Sequence, residues 1–113
     1  MTMEFWTMYH VTPSYNVPSI LTEGIQPRYS EGKREASYYV TRNAIEWAIL
    51  YVSAKRYSHV SELTVFTVEI PRCQLVRCNH IHMYYTKGIF RPVNSNYAVT
   101  FVKNLEEVEP DNE

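Results

Sequence analysis

The chain has 113 residues, 45% hydrophobic and 20% charged, which is the composition of one ordinary globular domain. Its net charge of −1 comes with scattered basic residues, so no dense basic tract marks it as a nucleic-acid-binding protein, and two cysteines are too few for a disulfide scaffold. No apolar stretch reaches membrane-spanning length and the first residues lack the basic region of a signal peptide. We therefore expect a single cytoplasmic domain over residues 1–113, with no membrane partner.

The first part of the chain predicts a strand followed by a short helix. Residues 5–12 are rich in aromatic and β-branched side chains, and Pro13 ends the strand that they predict. Asn16 is a suitable N-cap, Pro18 suits the first helical turn, and Gly24 suits the position just after the last turn. These signals enclose a helix of about two turns.

A second strand and a longer helix are predicted next. Residues 29–36 are charged and lack apolar periodicity, which indicates an exposed loop, and residues 37–41 predict a short strand. Asn43 with Glu46 three residues later resembles a capping box at the start of a helix. The apolar stripe expected on that helix consists of Ala44, Ile45, Ala48, Ile49 and Val52.

The second half of the chain predicts a succession of strands. Residues 63–70 alternate strictly, with Leu63, Val65, Thr67 and Glu69 on one side. Residues 80–85 and 97–102 have strand character, residues 89–93 have less, and residues 106–113 form an acidic tail expected to fray. Several late strands in a row favour antiparallel pairing and an α+β fold over a doubly wound parallel sheet.

Three short motifs in this order resemble the ADP-ribosyltransferase-like superfamily. They are His10-Val11-Thr12 at the end of the first strand, Ser-Ile-Leu-Thr-Glu-Gly-Ile over residues 19–25, and Tyr39-Val40-Thr41 before an alanine-containing helix. The resemblance is greatest to small prokaryotic branches, namely the DNA-modifying toxin enzymes, the rifampin-modifying enzymes and the RNA 2′-phosphotransferases. It implies split antiparallel sheets with two helices in the N-terminal half, and an NAD-type nucleotide held in a cleft between the sheets.

The resemblance also implies a set of residues that bind the cofactor NAD. In the family, the histidine donates a hydrogen bond to an adenosine ribose hydroxyl, and the backbone of the next residue holds the nicotinamide amide. His10 and Val11 match these positions, although the family often has glycine where this chain has Val11. Tyr39 matches the tyrosine on which the nicotinamide stacks, and Thr12 and Thr41 complete the predicted cofactor-binding set.

Catalysis in this family needs a further group, because ADP-ribosyl transfer passes through an oxocarbenium-like state that a carboxylate stabilises. The family usually supplies this acid from a late strand, but residues 94–99 contain none. Glu69 is the candidate catalytic acid, and the alternative is that it is a surface glutamate at the end of a strand. The RNA 2′-phosphotransferase branch uses arginines instead, and those available here are Arg28, Arg42, Arg77 and Arg91.

Three hypotheses for the function follow. The favoured one is NAD-dependent ADP-ribosyl transfer to a macromolecular acceptor, protein or nucleic acid, as in a toxin-like transferase. The second is a catalytically inactive nucleotide- or partner-binding module of the same fold. The third is a small metal-bound interaction domain, because thiols and imidazoles are good zinc ligands and occur together at Cys73, Cys78, His80 and His82. Their spacing matches no standard zinc motif, and buried thiols with surface histidines explain it equally well.

Overall fold

The computed structural model describes residues 3–29, 35–53, 62–78, 82–93 and 97–100. Within these ranges the helices are α1 (Val17–Glu23) and α2 (Ile45–Tyr51). The strands are β1 (Phe5–Pro13), β2 (Arg28–Tyr29), β3 (Glu35–Val40), β4 (Glu62–Pro71), β5 (Val76–Arg77), β6 (Met83–Thr86) and β7 (Tyr97–Thr100). Neither described helix is long and apolar enough to cross a membrane.

The strands form one antiparallel sheet in the order β5-β6-β3-β1-β4-β7, with β2 paired to β3. β1 and β4 pair along their whole length, starting with Phe5 opposite Pro71. Between β1 and β3, the described residues include a single opposed pair, Tyr9 and Val40, and we term this boundary the β1–β3 seam. The predicted α+β class with antiparallel strands is confirmed. The two separate sheets that the resemblance implied are joined into one, because β1 and β3 still meet at the seam.

Side chains alternate between the two faces of the sheet along each strand, and a buried cluster lies on each face. The face that we term the α1 face carries Met8, Phe66 and Val68, all 0% exposed, and packs against Ile20 of α1. On the opposite face, termed the α2 face, Val40 packs in a cluster with Ala44, which precedes α2, and Ala48 of α2. Even-numbered residues of β1, including His10, therefore lie on the α1 face.

The start of α2 differs from the sequence prediction. Asn43 lies in a short 3-10 turn, Arg42–Ala44, and Ala44 occupies the N-cap position without a capping side-chain hydrogen bond. The predicted capping box of Asn43 and Glu46 is therefore wrong. The apolar stripe is present in part: Ala44 and Ala48 are buried, and the partly exposed members are Ile45, Ile49 and Val52.

Most predicted strands are present, with one exception. The alternating segment 63–70 lies inside β4, and residues 83–86 and 97–100 form the late strands β6 and β7. Residues 89–93 form no strand, and Phe90 makes only an isolated bridge to Ile25. The centre of the predicted loop, 30–34, and the acidic tail, 106–113, lie outside the described residues.

Gly24 ends α1 as predicted, and its conformation makes alanine unfavourable there. Its φ of 85° lies in the left-handed region, and an added Cβ would lie 2.9 Å from Ile89 Cγ2 and 3.2 Å from the Phe90 carbonyl oxygen. We expect Gly24→Ala to lower the free energy of unfolding by about 1–2 kcal/mol, measured by urea denaturation. Ser19→Ala, on the exposed side of α1, should change it by less than about 0.5 kcal/mol. A Gly24→Ala protein as stable as the wild type would contradict this account.

Candidate functional site

His10 and Tyr39 meet at the β1–β3 seam. Since Tyr9 lies opposite Val40, the antiparallel register places His10 beside Tyr39 on the α1 face. Their ring centroids are 5.3 Å apart, with planes inclined at 48°. The His10 Nδ1 atom lies 2.8 Å from the Tyr38 carbonyl oxygen, so the imidazole spans the seam from β1 to β3. The structure thus brings together the two aromatic residues that the motifs singled out.

The hydrogen bond to Tyr38 determines which nitrogen of the His10 ring carries the hydrogen, and burial keeps the ring neutral. A carbonyl oxygen only accepts hydrogen bonds, so Nδ1 carries the hydrogen and donates it. Burial lowers the pKa of His10 below its ordinary value, and the bond to the Tyr38 carbonyl opposes this shift only in part. The ring is therefore neutral near neutral pH, and Nε2 is a hydrogen-bond acceptor. The resemblance implied that His10 donates a hydrogen bond to a ribose hydroxyl, but in this tautomer Nε2 has no hydrogen to donate and can only accept one.

The lowered pKa of His10 makes folding stability depend on pH. Because the pKa is below the ordinary 6.5 in the folded state, stability is full above pH 6.5 and falls as the pH drops through the folded-state pKa. An NMR titration of the His10 ring should give a midpoint below 6.5. His10→Asn should flatten the pH dependence of urea unfolding in that acidic range. A midpoint at or above 6.5 would show that burial does not dominate at this residue.

Tyr39 is placed beside His10, but its ring does not form an open surface. Its side chain is 1% exposed and packs in the cluster that contains Met8, Phe66 and Tyr84. Burial raises the pKa of the Tyr39 hydroxyl well above its ordinary range, so the side chain is uncharged. Stacking of a nicotinamide on this ring requires the residues that cover it to move. That role stays a prediction.

The other predicted cofactor-binding residues have structural partners. Thr12 is buried, and its Oγ1 accepts a hydrogen bond from Asn16 Nδ2 at 2.9 Å, which ties the end of β1 to the start of α1. Asn16 thus occupies the predicted N-cap position but bonds Thr12 instead of the helix backbone. Thr41 Oγ1 lies 3.1 Å from His82 Nδ1. Val11 packs on the α2 face, away from the side chain of His10.

Glu69 is not brought to this site. Phe66 lies opposite His10 in the β1–β4 ladder, and Glu69, three residues further along, lies opposite Thr7. An odd separation along a strand reverses the face, so the Glu69 side chain lies on the face opposite to His10 and Tyr39. It is exposed and accepts a hydrogen bond from Thr7 Oγ1 at 3.3 Å. The candidate acid is a surface glutamate in this arrangement.

The candidate zinc ligands are not gathered either. Cys73 is an exposed thiol, Cys78 is half-buried and in no disulfide, and His82 faces Thr41. His80 lies outside the described residues. In the part of the chain that the structure describes, no group of three or more His, Cys, Asp or Glu side chains is placed to hold a metal ion.

Sequence reasoning missed a row of buried hydroxyls beside the His10–Tyr39 pair. The row takes one residue from each of four neighbouring strands, all 6% exposed or less: Thr64, Thr12, Ser37 and Thr86. Each hydroxyl residue lies two positions from an aromatic residue on the same strand and face. The pairs are Thr64 with Phe66, Thr12 with His10, Ser37 with Tyr39 and Thr86 with Tyr84. The spacing of two is visible in the sequence, but the alignment of the four positions depends on strand order and register.

Comparisons of this chain with protein-family models, with curated proteins and with solved structures find no match. The resemblance to ADP-ribosyltransferases therefore rests on the three sequence motifs.

Proposed function

We propose that this chain is an ADP-ribosyltransferase-like domain that binds an NAD-type dinucleotide at the β1–β3 seam. The observation that carries the proposal is the His10–Tyr39 pair, with ring centroids 5.3 Å apart. Because Nδ1 of His10 is held by the Tyr38 carbonyl, Nε2 is a hydrogen-bond acceptor of fixed orientation, suited to a ribose hydroxyl. An aromatic ring beside one oriented polar group is typical of nucleotide pockets.

The order of the elements supports the same proposal. His10-Val11-Thr12 lies near the end of β1, residues 19–25 cover the end of α1 with its Gly24 cap, and Tyr39 lies near the end of β3, just ahead of α2. Both described helices precede β4 in the chain, as the resemblance implies. The resemblance predicts two separate sheets. The β1–β3 seam, with its single opposed residue pair, is where this sheet is closest to being divided.

Nucleotide binding is supported better than catalysis. ADP-ribosyl transfer to a protein or nucleic-acid acceptor needs a group that stabilises the oxocarbenium-like state, usually a carboxylate. Glu69 lies on the other face of the sheet from His10. The proposal is therefore a nucleotide-binding domain of this superfamily, and transfer is an additional activity that experiment must establish.

Binding is tested by titrating the protein with NAD and with ADP-ribose, followed by calorimetry and by NMR. We expect both ligands to bind and to shift the ring resonances of His10, because both contain the adenosine ribose. Adenine alone is the matched control, since it lacks that ribose and should leave the His10 resonances unchanged. If neither NAD nor ADP-ribose at millimolar concentration shifts His10, the proposal is wrong.

Transfer is tested by incubating the protein and its Glu69→Gln variant with labelled NAD and a cell lysate. We expect Glu69→Gln to bind NAD as the wild type does, and any labelling of macromolecules to continue, because this carboxylate points away from His10. A catalytic carboxylate would behave differently, since losing one such electrostatic contact costs on the order of 10²–10³ in rate. A loss of that size with unchanged NAD binding would contradict the placement of Glu69.

A further inference from the structure

Two hydroxyls next to the proposed nucleotide site are buried without a partner. Ser37 and Tyr39 lie two residues apart on β3, so both face the α1 side of the sheet, and they are 4% and 1% exposed. Among the described residues, neither Ser37 Oγ nor Tyr39 Oη makes a hydrogen bond. Buried hydroxyls in folded proteins are nearly always paired with protein groups or with ordered water.

The two hydroxyls are neighbours but do not bond each other. The Ser37 hydroxyl lies close enough to oppose, in part, the rise in the pKa of Tyr39, yet the pair does not reach hydrogen-bonding geometry. A water molecule that contacts both oxygens would supply the hydrogen bonds that the two hydroxyls lack. Thr86, opposite Ser37 in the β3–β6 ladder, accepts a hydrogen bond from the Gly88 amide at 3.1 Å and keeps its own O–H to donate.

We propose that the Ser37 and Tyr39 hydroxyls form an internal binding site for one water molecule. Buried waters typically make about three hydrogen bonds, and Ser37, Tyr39 and Thr86 supply hydroxyls on neighbouring strands of one face. The ligand is uncharged because the groups that face it are neutral hydroxyls, and transferring an ion into such a site is costly. It is polar because an apolar group would leave both hydroxyls unpaired. This site does not depend on nucleotide binding.

The first test counts long-lived internal waters by magnetic relaxation dispersion of the water oxygen. The folded wild-type protein is compared with the Ser37→Ala, Tyr39→Phe double variant, and the double variant is expected to hold one such water fewer. Equal counts in the two proteins would overturn the proposal. Ser53→Ala is the matched control, because Ser53 is a buried serine whose hydroxyl donates to the Leu50 carbonyl, and it should leave the count unchanged.

The second test measures whether Tyr39→Phe lowers or raises the folding equilibrium constant. If the hydroxyl binds water, its removal should lower the folding equilibrium constant by about three- to tenfold. If the hydroxyl is dry and unpaired, its removal should leave that constant unchanged or raise it, and this result would overturn the proposal. Because both side chains hold the same water, the loss in the double variant should be smaller than the sum of the single losses. Additive losses would also count against a shared water.

Discussion

Phe66→Ala is expected to lower the free energy of unfolding by about 3–5 kcal/mol, the largest stability effect that we predict for a single substitution here. Phe66 is 0% exposed and lies opposite His10, in the cluster that joins β1, β3 and β4 to α1. Removing the ring takes away buried apolar area and leaves a cavity that neighbouring strands, held in register, do not fill easily. A domain of this size has about 5–15 kcal/mol of stability, so this variant loses a large part of it.

Urea denaturation of the wild type and of Phe66→Ala measures this difference. Val76→Ala is the control, because Val76 is a strand residue that is 47% exposed and should change stability by less than about 0.5 kcal/mol. A loss below about 1 kcal/mol in Phe66→Ala would mean that the ring is not enclosed as described, and that the cluster which also buries Tyr39 is packed less tightly.

His10→Asn is expected to weaken NAD binding by about ten- to a hundredfold, the largest effect that we predict on the proposed function. Asparagine places its amide nitrogen where histidine has Nδ1, so it can still donate to the Tyr38 carbonyl across the seam. It has no atom at the position of Nε2, so the acceptor proposed for the ribose hydroxyl is lost. Calorimetric titration with NAD measures the change.

Two further variants separate the role of Nδ1 of His10, which bonds the Tyr38 carbonyl, from that of Nε2, which is proposed to contact NAD. His10→Ala removes the bond to Tyr38 as well, so it should lose both binding and stability, whereas His10→Asn should retain most of the stability. His82→Asn makes the same substitution at a histidine that faces Thr41, and it should leave NAD binding unchanged. Wild-type affinity in His10→Asn would show that Nε2 does not contact the ligand.

The sequence alone could not predict whether Glu69 and His10 lie on the same face of the sheet. The alternation in residues 63–70 predicts that Glu69 shares a face with Thr67. In β4 the burial alternates in this way over residues 66–70, whereas residues 63–66 are buried on both faces. Which residues of β1 share that face depends on the register between the strands. Only the pairing of Phe66 with His10 shows that Glu69 lies on the opposite side of the sheet.

Signals that depend on a few consecutive residues were readable from the sequence alone. These include the left-handed glycine after α1, the presence of a strand over residues 63–70 and the order of the longer strands and of the helices, since each depends on local backbone preferences. The tautomer of His10, the burial of Tyr39 and the bond from Asn16 to Thr12 required the tertiary structure. The Tyr38 carbonyl that holds His10 is 28 residues away along the chain, and only strand pairing brings the two together. Burial and protonation depend on such distant neighbours, so the chemistry of the site became visible only in the fold.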